Sequence, residues 1–178
     1  MALTKLNYTG QGTIPDASLP TIPIGKIPTI TGAKMPAGSV VQTVFGTVDG
    51  QVSTNNNTFL DTNLSASITP TSSSNKILIT VMQNGVYKDG SAEAGCQIQL
   101  LRGSTVISQL AKRAGGDNGT GTAATMSIGT VGASILDNPN TTSAITYKTQ
   151  FKSASNAATV YVQVYTCDST IILQEITV

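Results

Sequence analysis

The chain has 178 residues, of which 39% are hydrophobic and 11% charged, and its ten basic and nine acidic side chains give a net charge of +1. The basic residues are scattered along the chain. A nucleic-acid-binding protein normally concentrates such charge with aromatic residues beside it, so that function is not expected. The 27 threonines and 17 serines, with no tryptophan, are typical of a β protein with a neutral, hydroxyl-rich surface.

Residues 1–38 are predicted to form an extended arm. Five of the seven prolines lie within the first 36 residues, each directly after an apolar residue. Proline lacks a backbone donor and pushes the preceding residue into an extended conformation, so this segment is predicted to be neither helix nor well-paired strand. The residues expected to dock on a partner are Ile14, Leu19, Ile22, Ile24, Ile27 and Met35.

Three placements of this arm remain open. It could dock on another protein, fold back on its own domain, or serve as a disordered linker or spacer between two bodies. A solvated linker is usually rich in serine, glutamate, glutamine and lysine, because exposing apolar side chains to water is unfavourable. The isoleucines therefore favour docking on another protein.

Residues 39–178 are predicted to form one β-sandwich domain. Apolar residues recur mainly at every second position, as in half-buried strands, and no segment has a helical period. The predicted strands cover residues 39–48, 58–69, 75–86, 95–101, 104–111, 122–136, 144–153, 158–167 and 170–177. An antiparallel sandwich with jelly-roll topology lets two sheets share one core and closes off most edges, so this all-β fold is expected.

Local patterns add detail to this prediction. Asn84-Gly85 is a turn signal between strands, and Arg102-Gly103 reads as a tight hairpin. The clearest alternation lies in residues 158–167. It predicts one face with Val160, Val162 and Val164 and the other with Tyr161, Gln163 and Tyr165.

The sequence predicts no catalytic, metal or cofactor site. It has no histidine, so the usual general base and the commonest transition-metal ligand are missing. A glycosidase would need two carboxylates, but most of the acidic residues lie in turn sequences, and Glu93 is the main exception. The glycine-rich segment at residues 115–121 lacks the residues of a phosphate-binding or calcium-binding loop. It is predicted to be an exposed host-contact loop formed by Gly115, Gly116, Asp117, Asn118 and Gly119.

Cysteine use and apolar runs bear on the compartment. The first residues contain no apolar run of signal-peptide length, and no run is long enough to span a bilayer, so a protein made in the cytoplasm without membrane insertion is expected. Cys96 and Cys167 are therefore predicted to be buried thiols in preference to a disulfide. Four tyrosines could line a sugar-binding surface or belong to the core or a subunit interface, namely Tyr87, Tyr147, Tyr161 and Tyr165.

Five segments of the chain together resemble a known module. They are Pro-Ala-Gly-Ser-Val-Val-Gln-Thr-Val at 36–44, Ser-Asn-Lys-Ile-Leu-Ile at 74–79, Leu-Arg-Gly-Ser-Thr-Val-Ile at 101–107, Leu-Asp-Asn-Pro-Asn-Thr-Thr-Ser-Ala-Ile-Thr-Tyr at 136–147, and Ser-Thr-Ile-Ile-Leu-Gln-Glu-Ile at 169–176. They look like a β-sandwich module of tail-fibre and other virion proteins of tailed bacteriophages. The resemblance implies a homotrimer in the virion, anchored by its N-terminal segment.

Two functions are compatible with that resemblance. The first is a short tail fibre whose arm docks on the tail or baseplate and whose domain touches a host glycan or surface protein. The second is a capsid decoration or head-fibre protein that sits on the shell and stabilises it. Both are structural roles without enzymatic activity, and the position of the protein on the particle distinguishes them.

Overall fold

A computed structural model describes residues 35–89, 95–114, 129–156 and 158–178. These residues form ten β-strands and one short 3-10 segment, Val164–Thr166, so the all-β prediction is confirmed. The strands are β1 (Val40–Val48), β2 (Val52–Thr54), β3 (Leu60–Ile68), β4 (Lys76–Asp89), β5 (Cys96–Arg102), β6 (Thr105–Ala114), β7 (Gly129–Asp137), β8 (Ile145–Ser153), β9 (Thr159–Val162) and β10 (Ser169–Ile176). No helix long and apolar enough to cross a membrane occurs in these ranges.

The strands form two antiparallel sheets. In the first sheet β1, β10, β4, β9 and β2 follow one another, and β7 pairs with the other edge of β4. In the second sheet the order is β3, β8, β5, β6. When the short strands β2 and β9 are set aside, the strand orders are β1-β10-β4-β7 in the first sheet and β3-β8-β5-β6 in the second, which is the arrangement of two interleaved Greek keys. The predicted jelly-roll sandwich is therefore the observed fold.

The core lies between the sheets and is divided into two apolar clusters. The larger contains Ile79 and Leu173 from the first sheet and Leu100 and Tyr147 from the second. The smaller cluster includes Val86, Cys96, Ile98, Phe151, Val160 and Val162. Inward-facing residues of both sheets supply these side chains, as the period of two predicts.

A chain of buried polar side chains crosses between the sheets at the junction of the two clusters. The Thr62 and Thr149 hydroxyls lie 2.5 Å apart, and Thr149 donates to Gln83 Oε1 at 2.9 Å. Gln83 in turn donates to Ser169 Oγ at 2.9 Å. Because all four side chains are fully buried, these hydrogen bonds compensate for their lost hydration and fix the register of one sheet on the other.

The predicted strand over residues 158–167 is wrong beyond Val162. Gln163 adopts a left-handed conformation with φ 55°, and its backbone N–H donates to Asn84 O at 3.0 Å. Its side chain is buried, where the amide donates to Ser169 Oγ at 3.2 Å, instead of facing solvent. Contacts with β4 and β10 thus override the local alternation.

The predicted turn at Asn84-Gly85 is also wrong, because both residues lie inside β4. The pairing of β4 with β7 shifts register between Gln83 and Val86, which makes this position a bulge. Gly85 has φ +59°, and a Cβ there would lie 2.5 Å from the backbone nitrogen of Val164. Glycine is needed here for a close approach of two backbones.

The two ends of the sandwich carry different features. We call the end at which β1 begins and β10 ends the proximal end, and the end at which β6 ends and β7 begins the distal end. The predicted hairpin at Gly103, with φ +58°, lies at the proximal end and is confirmed. Both thiols are free, as predicted, and Cys96 is buried, but Cys167 is half-buried where a buried thiol was predicted. Burial raises the pKa of the Cys96 thiol.

Candidate interaction surfaces

The chain enters the domain through a hydrogen-bonded clamp at the proximal end. Thr177 binds Ser39 in both directions, since Ser39 N–H donates to Thr177 Oγ1 at 2.9 Å and Thr177 N–H donates to Ser39 O at 3.0 Å. The Thr177 hydroxyl donates to Pro36 O at 2.6 Å, and Gly38 N–H donates to Thr177 O at 2.9 Å. The residues that follow Met35 are thus fixed beside the end of β10.

A buried carboxylate, Glu175, reinforces the same end. Its Oε1 accepts hydrogen bonds from Thr71 N–H at 2.7 Å, Thr71 Oγ1 at 2.8 Å and Asn75 Nδ2 at 2.7 Å. Its Oε2 accepts one from Gln42 Nε2 at 2.6 Å. Burial alone would raise the pKa of Glu175, but these hydrogen bonds outweigh it and hold the pKa below its usual value. The carboxylate thereby ties β1 and the turn before β4 to β10.

An ion pair links the two sheets at the proximal end. Arg102 Nη1 from the second sheet lies 2.9 Å and 3.1 Å from the two carboxylate oxygens of Asp137, at the end of β7 in the first sheet. Tyr147 OH donates to Asp137 Oδ2 at 2.7 Å. Burial and this hydrogen bond raise the pKa of Tyr147. These contacts add to the rigidity of the proximal end.

Most of the residues predicted to make contacts lie outside the described ranges. Of the six docking residues predicted in the arm, only Met35 is described, and it is half-buried. Neither the other docking residues, Ile14, Leu19, Ile22, Ile24 and Ile27, nor the contact loop, Gly115, Gly116, Asp117, Asn118 and Gly119, belong to the described residues. The strands on either side of that loop end at Ala114 and begin at Gly129, both at the distal end.

A strained turn displays an aromatic ring at the distal end. Gln163, Tyr165 and Thr166 all have φ near 55°, a left-handed conformation that is unfavourable for residues other than glycine. The turn is held in place by Asn84, whose Nδ2 donates to Asp168 O at 2.6 Å. Tyr165 is 73% exposed. Strain of this kind persists where the surroundings impose it and is concentrated at functional sites.

The structure separates the four tyrosines that the sequence left ambiguous. Tyr147 is fully buried in the core and Tyr87 is also buried. Tyr161 is half-buried, and its ring centroid lies 5.4 Å from that of Tyr87. Of the four, Tyr165 is the one with a largely exposed ring. Tyr165 is therefore the tyrosine that could contribute to a binding surface, whereas Tyr87 and Tyr147 belong to the buried interior.

The outer face of the first sheet is uncharged and carries five large apolar side chains among hydroxyl and amide groups. The register of β1, β10, β4 and β7 aligns three rows of outward side chains. The rows are Thr43, Gln174, Leu78 and Leu136; Phe45, Ile172, Thr80 and Ser134; and Thr47, Thr170, Met82 and Gly132. Phe45 is 60% exposed and Leu136 is 54% exposed. We call this surface the apolar face, and none of its twelve residues is charged.

The outer face of the second sheet has the opposite character. Asp61 accepts hydrogen bonds from Lys148 Nζ at 2.9 Å and from Gln150 Nε2 at 2.7 Å. Gln99 Nε2 extends the row by donating to Gln150 Oε1 at 3.0 Å. Lys152 lies 4.8 Å from the centre of the Phe59 ring. This face is polar and charged, as expected of a surface that stays in water.

The apolar face was not identified from the sequence, although a signal for it exists. Ile77-Leu78-Ile79 in β4 and Ile171-Ile172-Leu173 in β10 are uninterrupted apolar triplets in strands that otherwise alternate. A strand with apolar residues on both sides is normally covered on both sides. The adjacent pairing of β4 and β10 brings the two triplets side by side.

Three of the described carboxylates, Asp61, Asp137 and Glu175, make structural contacts. Asp137 and Glu175 are bound as above, and the hydrogen bonds from Lys148 and Gln150 outweigh partial burial to lower the pKa of Asp61. Among the described residues, no group of three or more cysteine, aspartate and glutamate side chains could hold a metal ion. Glu93, the acidic residue singled out in the sequence, lies outside those ranges.

Comparison with known proteins finds little similarity. No protein-family model and no curated protein matches this sequence. Among solved structures, the chain is similar to one described as the structure of the infectious bursal disease virus Gx strain, with 12% sequence identity and a TM-score of 0.39. The match covers 76% of this chain and 32% of that one, so the chain spans about a third of that protein's length. A likeness at this level carries no argument about function.

Proposed function

We propose that this protein is a structural protein of a tailed-bacteriophage virion, a short trimeric tail fibre that docks to the tail or baseplate through its N-terminal arm. The observation that carries the proposal is the difference between the two ends of the sandwich. The chain enters at the proximal end, where Thr177 clamps Pro36 and Ser39. The distal end carries Tyr165 and the strand ends that flank residues 115–128. A rigid body attached at one end and exposed at the other suits a host-contacting fibre.

The resemblance of five segments to the phage module supports the same proposal, and those segments contribute to the jelly roll. Residues 74–79 and 169–176 overlap β4 and β10 at the centre of the first sheet, and residues 101–107 form the β5–β6 hairpin. We propose a role without catalysis, because the described carboxylates that make hydrogen bonds hold strands and turns together. Release of new reducing ends from host polysaccharide, abolished by Glu93→Ala or Asp117→Ala, would contradict it.

Locating the protein on intact particles tests the proposal. We expect a gold-labelled antibody against the domain to mark the tail. Label distributed over the head would instead establish the capsid decoration role, which uses the same arm and fold. Particles that carry no label, with the protein confirmed in the infected cell, would exclude both virion roles.

The apolar residues of the arm are expected to hold the protein on the particle. An isoleucine side chain fully buried at a partner surface contributes about 1 to 3 kcal/mol, whereas an exposed lysine at the rim contributes about 1 kcal/mol or less. Ile22→Ser combined with Ile27→Ser should therefore abolish incorporation into particles. The matched pair Lys26→Ser and Lys34→Ser should keep most of it, as measured by quantitative immunoblots of purified particles.

The salt dependence of attachment also distinguishes the contribution of the apolar residues from that of the lysines. Apolar docking survives high ionic strength, while attachment by charges is screened. Release of the wild-type protein by moderate salt, or loss of incorporation in the lysine pair alone, would show that charges hold the arm.

The distal end is expected to contact the host. Deleting residues 115–119, or replacing Tyr165 with serine, should lower attachment of assembled particles to host cells by about tenfold or more, since exposed aromatic anchors dominate such contacts. The matched substitution Val106→Ser removes a half-exposed apolar side chain from β6 and should leave attachment unchanged. Full attachment by particles carrying both distal changes would remove this end from the binding surface.

A further inference from the structure

We infer that the apolar face of the first sheet is the surface through which copies of this chain associate with one another. The face presents Phe45, Met82 and Leu136 at 60%, 41% and 54% exposure, with Leu78 and Ile172 between them. The largest apolar patch on a protein surface is often a functional contact. The inference goes beyond the proposed function, because two identical faces that meet form a two-fold contact, whereas neighbouring subunits of a trimer contact each other through two different patches.

The charge distribution favours a second copy as the occupant. When identical surfaces meet, every charged residue meets its own kind or a neighbour's, so a face with several like charges repels itself. The apolar face carries no charge in its three rows, and Lys76 lies at its proximal edge beside Ile176. A strongly acidic or basic partner would find no complementary charge there. The face of the second sheet, with Lys148 and Lys152, lacks this self-compatibility.

The polar residues of the face are also compatible with a copy of themselves. They are the hydroxyl residues Thr43, Thr47, Thr80, Thr170 and Ser134, together with the amide of Gln174. A hydroxyl or amide both donates and accepts hydrogen bonds, so two identical residues can satisfy each other across an interface. Carboxylates and ammonium groups lack that property.

The size of the face agrees with a reversible contact between copies. Three rows of alternate residues about 6.6 Å apart, on four strands about 4.8 Å apart, give a face of roughly 20 by 20 Å, or about 400 Å². Two such faces bury on the order of 800 Å² in total, which lies at the upper limit of most crystal contacts and below the standard size of specific interfaces, as in a weak association. We therefore expect association that depends on protein concentration.

Sedimentation velocity of the full-length protein over a wide concentration range tests the inference. The wild type should form an assembly larger than a monomer. The double variant Phe45→Lys with Leu136→Lys should dissociate about a hundredfold more readily, because like charges in a self-contact repel. The matched control Val106→Lys introduces lysine on β6 of the second sheet at 50% exposure and should assemble as the wild type does. A cooperative thermal unfolding transition of the monomeric double variant will show that it is folded.

Each outcome decides the matter. A wild type that is monomeric at every concentration, or an assembly that survives the double variant, would overturn the inference. Loss of assembly in the double variant alone would support it. If that loss is seen but antibody finds no protein on particles, the virion role fails and the self-association surface stands.

Discussion

Replacing Glu175 with leucine is expected to lower the free energy of unfolding by about 3 kcal/mol, because the donors that converge on the carboxylate would lose their acceptor. Hydrogen bonds to a charged group contribute about 1.5 to 3 kcal/mol each, and a buried donor left unpaired costs about 1 to 3 kcal/mol. Thr71 N–H and Asn75 Nδ2 are the donors most affected. Urea unfolding of both proteins at neutral pH measures the difference.

The variant Glu175→Gln is the control for shape. It retains one oxygen acceptor and nearly the same volume, so it should lower the free energy of unfolding by less than Glu175→Leu does. A leucine variant as stable as the wild type would contradict the account, since it would mean that the turn before β4 is held by other contacts.

The same carboxylate predicts an acid-sensitive stability. The pKa of Glu175 is lower in the folded protein than in the unfolded chain. Its contribution to stability is therefore present above the unfolded-state pKa of about 4.3 and is lost as the pH falls toward the folded-state value. Between about pH 5 and pH 3 the wild type should lose more stability than Glu175→Gln. Parallel loss in both proteins would assign the acid sensitivity to other groups, of which Asp61 is the first candidate.

Substituting alanine for Gly85 is expected to destabilise the fold by about 3 kcal/mol or more. The left-handed conformation costs an alanine about 1 to 2 kcal/mol, and overpacking adds about 1 to 3 kcal/mol. The new Cβ would lie 2.5 Å from Val164 N and 2.9 Å from Gln163 C, and both of these are backbone atoms that cannot rotate away. Thermal and urea unfolding provide the measurement.

Gly103 supplies a matched control. Its φ of +58° is almost the same as the +59° of Gly85, but a Cβ at Gly103 would meet no atom within 4 Å. Gly103→Ala should therefore lower the free energy of unfolding only by the cost of the left-handed conformation, about 1 to 2 kcal/mol. Equal losses in the two variants would mean that the close approach of β4 to the distal turn contributes nothing to stability.

The fold was largely accessible from the sequence because its strands follow a period of two. The predicted strand at 144–153 differs from the observed β8 by one residue at one end, and the predicted strand at 170–177 differs from β10 by one residue at each end. Alternation along β10 also places Glu175 on the inward side together with Ile171 and Leu173. What it does not reveal is the source of the donors, because Thr71 and Asn75 come from a turn about a hundred residues earlier.

The candidate surfaces were less accessible, for reasons that are tertiary. The distal turn depends on Gly85 and Ser169, which impose a left-handed path on Gln163 where the sequence reads as a strand. The short strand β2 was missed because its three residues give no periodic signal and it is defined by pairing with β9. The apolar face emerges once the apolar triplets of β4 and β10 are known to be neighbours.

The clamp at Thr177 has a mechanical consequence. A pull on the residues before Met35, directed along the axis of β1, reaches the sandwich through the backbone at Ser39 and then through the eight residue pairs between β1 and β10. Antiparallel ladder bonds run perpendicular to the strands, so an axial pull shears all of them together, whereas a sideways pull would open them one at a time. All of the hydrogen bonds between β1 and β10 therefore resist a force applied to the proximal end along the strand direction. The edge strand β1 is mechanically strongest against a force in that direction.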